Sequence, residues 1–106
     1  MNQQQQQEHF EKTVDKLRRL MLLKGNDYAG KGQNDDRLYN FKAPAGLINV
    51  HPAKVALTLM SVKISRMITL LDSGETPNFE AINDTSLDLI VYAILNDAIL
   101  TEEKQK

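Results

Sequence analysis

The chain has no cysteine, so it can build neither a disulfide framework nor a thiolate metal site, and a reducing compartment is expected. It has no apolar run near the roughly 18 residues that a membrane span needs. Its N-terminal "MNQQQQQEH" lacks the basic start and apolar segment of a signal peptide. It also has no surplus of one charge: thirteen basic and fourteen acidic residues leave a formal net charge of −1, which excludes a broad basic surface for gripping duplex nucleic acid. These absences predict a soluble cytoplasmic protein with neither a membrane nor a duplex nucleic acid as partner.

What remains is a helix-forming sequence. At 106 residues and 42% hydrophobic content the chain is long enough for one core and too short for two. Residues 8–103 are expected to form a single domain behind a glutamine-rich extension at 1–7, which is either frayed or the start of a helix. From about Glu8 to Lys24, Phe10, Val14, Leu17 and Met21 recur at helical spacing, and Gly25 supplies the expected stop. The segment "GNDYAGKGQNDDRLYNFKAPAG" holds four of the five glycines and predicts a long irregular connection with a short helix around Asp36 to Phe41. Its aromatic and aliphatic residues argue that it is ordered, and ordered loops of this length are usually functional.

Pro52 suits the first turn of a long helix running to about Asp72, with Gly74 past its end. Asn78 can cap the last helix, Phe79 to about Glu102, and Glu80 stands in its first turn where the helix dipole favours negative charge. No alternating strand pattern competes. The expected fold is an all-α bundle of three long helices and a short one. Two of the long helices are apolar around most of their circumference, so a homo-oligomer is expected.

Stepping about 100° per residue along the middle helix gathers Lys54, Thr58, Ser61, Ser65 and Thr69 into one solvent stripe. Lys63 and Arg66 fall roughly opposite, among Ala56, Leu59, Met67 and Leu70. On the last helix Glu80, Asp84 and Asp88 align with Leu87, Val91, Leu95, Ala98 and Ile99. Each helix is thus expected to point charge inward, one cationic and one anionic. Unpaired burial would cost several kcal/mol per ion, so the charges must meet one another, a ligand or water. A structural salt-bridge cluster satisfies that demand. A binding site satisfies it too, since Lys and Arg three apart can hold a phosphate or carboxylate while aspartates orient them or bind a divalent cation.

The loop adds groups that suit a nucleotide. Asn26, Asp27 and Asn40 offer hydrogen bonds to base edges, and Tyr28, Tyr39 and Phe41 offer stacking faces. Gly25, Gly30 and Gly32 permit close backbone approach. Taken singly, these groups also read as turn chemistry and as plugs over a core. His51, before Pro52, reads as a cap or surface residue.

Through "KGNDYAG", "DDRLYNF", "VKISRM" and "EAINDTSLDLIVYAIL", in that order over about Val14 to Leu95, the chain resembles the nucleotide-modification-associated domain 1 family, small proteins common in bacteriophage genomes. That family looks related to the all-α, MazG-like nucleoside triphosphate pyrophosphohydrolases, which form helical dimers or tetramers. The resemblance implies a nucleotide or nucleotide derivative as ligand and the cytoplasm of an infected bacterial host as setting. The MazG-like enzymes hold magnesium with a Glu-x-x-Glu pair on one helix and a Glu-x-x-Asp pair on the next. Here Asp88 stands at the final Asp, but Thr85 replaces the Glu three residues before it, and on the first helix Glu8 falls near the solvent side and Glu11 only at the edge of the apolar stripe.

The candidate ligand residues are therefore Lys24, Asn26, Asp27, Tyr28, Asn40, Phe41, Lys63, Arg66, Asp84 and Asp88. Three functions compete. In the first, an oligomeric phage protein captures a nucleotide or cyclic nucleotide immune signal without hydrolysing it and needs no cofactor. The second is a divergent pyrophosphohydrolase for modified deoxynucleotides, with Asp84 and Asp88 holding Mg2+. The third is a helical interaction module. The first is preferred, because the positive charges suit a phosphate while the metal set is incomplete.

Overall fold

A computed structural model describes residues 1–28, 36–73 and 79–105, the side chains of 24–28 excepted. Among the described residues the chain is all-helical: α1 (Gln3–Tyr28), α2 (Tyr39–Ile48), α3 (Pro52–Leu71) and α4 (Phe79–Lys104). No described helix is long and apolar enough to cross a membrane.

α1 is longer than expected at both ends. At its start, Gln5 N–H donates to the Asn2 side chain at 2.8 Å and Asn2 N–H donates to the Gln5 side chain at 2.9 Å. This reciprocal capping box satisfies two of the donors that a helix start leaves orphaned. The glutamine run is thus a capped helix, extended by Gln4 to Glu8 and Gln7 to Glu11 contacts one turn apart. At the other end the backbone passes through Gly25 and stays helical to Tyr28, which corrects the expected stop. One glycine costs about 1 kcal/mol inside a helix, and adjoining turns can outweigh it.

The expected irregular connection is corrected as well, since α2 takes up its second half. Phe41 and Ala45, four apart, face the interior with 0% and 2% exposure. Pro44 stands within α2 on the exposed side, where its missing N–H faces water. Asn49 ends the helix in the left-handed conformation, φ 56° and ψ 52°, and its N–H returns to the Ala45 carbonyl. Asparagine tolerates that conformation better than most side chains. Two residues later His51 caps α3: its Nδ1 accepts from Ala53 N–H at 3.0 Å, with Pro52 at the first helical position.

α3 and α4 run antiparallel, because His51 at the start of α3 pairs with Glu103 near the end of α4, while Lys63 in mid-helix pairs with Asp88. The residues of α3 that lose exposure include 53, 56, 60, 63, 67 and 70, alternately three and four apart. On α4 they include 85, 88, 92, 95, 99 and 102. This is the narrow seam of two helices packed along their length. Leu38, Phe41, Ala53, Ala56, Val91, Tyr92, Leu95 and Ile99 form the core, and Leu17, Leu20 and Met21 of α1 pack against it. Phe41 meets Tyr92 edge-on, with ring centroids 6.4 Å apart at 88°, a favourable arrangement for aromatic rings.

Candidate functional site

Lys63 and Asp88 both occupy seam positions, so the fold itself brings them together. The ammonium lies 3.1 Å from the Asp88 carboxylate, with side-chain exposures of 25% and 22%. Among the described residues Asp88 is the one ion-pair partner of Lys63, and an ammonium has three donors. The pair is neither sealed nor loose: it lies in a largely apolar seam yet remains reachable from solvent. An anion arriving there would find a cation already desolvated in part, where electrostatic attraction is stronger than in bulk water.

The other two members of the expected cluster lie elsewhere. Arg66 and Asp84 are exposed, which corrects their placement in the interior. A helix facing one partner buries only the alternating three-and-four stripe, and residues 66 and 84 flank it. Phe41 is also corrected. With 0% exposure it is part of the core and offers no stacking face. Asn40 is exposed in the first turn of α2 and is already engaged in an interaction, and Tyr39 is 41% exposed. Lys24, Gly25, Asn26, Asp27 and Tyr28 belong to the last turns of α1, but their side chains lie outside the described residues. Gly30, Gly32, Gly74 and Asn78 lie outside them entirely. The expected solvent stripe of Lys54, Thr58, Ser61, Ser65 and Thr69 is exposed throughout.

A second cluster escaped the sequence reading. Lys42 of α2 donates to Asp36 at 2.7 Å and to Glu102 of α4. Those hydrogen bonds, Asp36 first and Glu102 next, raise the lysine above its ordinary value of 10.5 against the lowering that burial brings. Beside it, His51 Nε2 meets Glu103 at 2.6 Å. Because Nδ1 accepts from Ala53 N–H, the neutral ring carries its proton on Nε2 and donates it to Glu103. Lys42 and Glu102 are sixty positions apart, and no local pattern announces such a pair. The cluster ties the α2–α3 corner to the end of α4, so its form is that of a clasp.

Among the described residues no group of three His, Asp or Glu side chains is placed to hold a metal ion. A magnesium at Asp88 would have to displace the Lys63 ammonium, and Asp84 would have to turn in from an exposed position. A groove of about 760 Å³ lies between α1 and α4, and neither Lys63 nor Asp88 lines it. Comparison with protein-family models, with curated proteins and with solved structures finds no match.

Proposed function

We propose that this chain is an oligomeric nucleotide-binding protein, one that captures a nucleotide or cyclic nucleotide signal and releases it unchanged. The observation that carries the reading is Lys63: a cation at a seam position, three-quarters buried and matched, among the described residues, by a single carboxylate at 3.1 Å. Replacing such a pair by apolar residues is often neutral for stability, so stability alone gives little reason to keep it. A phosphate oxygen gives one, because a charge-assisted hydrogen bond to a partly desolvated ammonium contributes about 1.5–3 kcal/mol. Arg66, three residues further along α3 and exposed, is the second cation that this reading assigns to the same anion. The resemblance to the phage nucleotide-modification-associated family supports the nucleotide class of ligand and the setting of an infected bacterium. Assembly is supported by α3, where Leu57, Ile64, Ile68 and Leu71 are about half exposed and recur at seven, four and three residues, a second apolar stripe away from the α4 seam.

The MazG-like alternative keeps Asp88 as a magnesium ligand and requires Lys63 to move from it to the phosphates. The third reading makes the Lys63–Asp88 pair a packing device only.

One experiment separates the three. The purified protein is incubated with linear and cyclic nucleotides, with and without Mg2+, and binding is measured by calorimetry while the nucleotide is recovered and resolved by ion-exchange chromatography. The proposal expects saturable binding and an intact ligand. Magnesium-dependent pyrophosphate release that Asp88→Ala abolishes would establish the enzyme. An absence of binding across the panel would leave the interaction module.

A further inference from the structure

The first twelve residues form a capped helical arm in which every residue is exposed. α1 also makes fewer contacts with the rest of the fold than any other helix. A helical stretch of this length is marginal in water without a packing partner. The apolar stripe of α1 nevertheless continues onto the arm: Met21, Leu17 and Val14 are half-buried, and Phe10, next along the same face, is 59% exposed. Beside that stripe lies the groove of about 760 Å³, walled by Val14, Leu17, Met21 and Leu22 of α1 with Ile94 and Leu95 of α4. Leu22 and Ile94 are 74% and 43% exposed, so the groove offers apolar surface to a visitor. Its charged lining is cationic, Arg18 and Arg37, whereas the arm carries the carboxylates Glu8 and Glu11 beside one lysine, Lys12.

We propose that the groove receives the α1 arm of a second copy of this chain, the two α1 helices lying antiparallel about a two-fold axis near Asp15 and Lys16. In heptad terms Val14 and Met21 take one core position, and Phe10 and Leu17 the other. The antiparallel register that pairs unlike core positions sets Phe10 against Met21 of the second copy and Val14 against Leu17. That register brings Glu11, just outside the core, beside Arg18 of the second copy, and symmetry makes the contact twice. Arg18 is free to change partners, since its present contact with Asp15, at 3.3 Å, is highly exposed on both sides and worth little. Phe10 covers Leu22 and Ile94 of the other copy, and the arm gains the packing that it lacks alone. This surface differs from the apolar stripe of α3, so the two can coexist in one assembly.

The absence of cysteine supplies the test. A Glu11→Cys, Arg18→Cys double variant cannot close a bond within one chain, because seven residues of helix separate the two positions by about 10 Å. Under mild oxidation the proposal expects a covalent dimer on a denaturing gel. In light scattering the wild-type mass should be an even multiple of the chain, and Phe10→Asp should halve it without loss of helicity, Phe10 being exposed within the protomer. Glu11→Arg and Arg18→Glu should each raise the concentration at which the protein assembles, and their combination should restore it. A monomeric wild type, an unchanged mass for Phe10→Asp or a double-cysteine variant that stays monomeric would overturn the inference. Nucleotide binding separates this result from the reading above: a monomer that binds nucleotide fails only the arm, and a dimer that ignores every nucleotide fails only the ligand.

Discussion

Two lysines lie beside the α4 helix, and they are held in different ways. Lys42 reaches two carboxylates from different segments, hydrogen-bonds to both and is pushed above its ordinary value. Lys63 has, among the described residues, one carboxylate at 3.1 Å. Their exposures, 33% and 25%, are close, so burial does not separate them. Saturation does. A lysine with two anions on it has little left to offer a ligand and serves to join elements, whereas a half-satisfied lysine in an apolar seam retains donors for an incoming anion. The same α4 therefore carries a clasp at its C-terminal end and a candidate receptor near its middle.

The strongest way to break this comparison is to remove the scaffold that both lysines share. Phe41→Ala, at a fully buried position against Tyr92, should cost about 3–5 kcal/mol in urea unfolding. A much smaller cost would mean that α2 is not seated on α4 and that the clasp has nothing to close. Next in size is the ligand effect. Lys63→Met should weaken nucleotide affinity on the order of 10- to 100-fold by calorimetry, with some loss in the urea midpoint because the partly buried Asp88 carboxylate loses that cation. A Lys63→Met protein that binds nucleotide as the wild type does would make the pair a packing device.

The clasp responds to pH in a definite direction. A lysine whose folded-state value lies above its unfolded one contributes fully below pH 10.5 and loses that contribution as the pH rises through the folded-state value. Lys42→Gln should therefore lower stability by about 1 kcal/mol or less at pH 8, and the gap to wild type should narrow by pH 11. A gap that widens with pH would reverse the assignment. The smallest effect is expected at the helix start: Asn2→Ala removes one half of the capping box and should speed amide exchange in the first turns of α1, with about 1 kcal/mol or less lost there.

The sequence was legible wherever a residue acts through its own helix. Pro52 and the polar stripe from Lys54 to Thr69 place α3 and its wet side correctly, and the wheel picks Lys63 and Asp88 as misplaced charges. The Asn2 and Gln5 pair was legible too, by its spacing, although the glutamine run drew attention away from it. Pro44 and Gly46 hid α2, because their low helical preference was outweighed by the burial of Phe41 and Ala45. Arg66 and Asp84 were misplaced because a wheel treats the whole apolar sector as interior, while a single partner helix covers only the seam. The Lys42 clasp could not be seen at all, since Asp36 and Glu102 meet it only after the chain has folded.

On the proposed function the two lysines divide the work: Lys63 receives the ligand and Lys42 fastens the fold. Titrating the same nucleotide panel into Lys63→Met and Lys42→Met, with the urea midpoint of each measured alongside, tests it most directly. The account predicts that Lys63→Met stays folded and loses the ligand, and that Lys42→Met keeps the ligand and loses part of its midpoint. Equal affinity for the ligand in Lys63→Met and the wild type would contradict it.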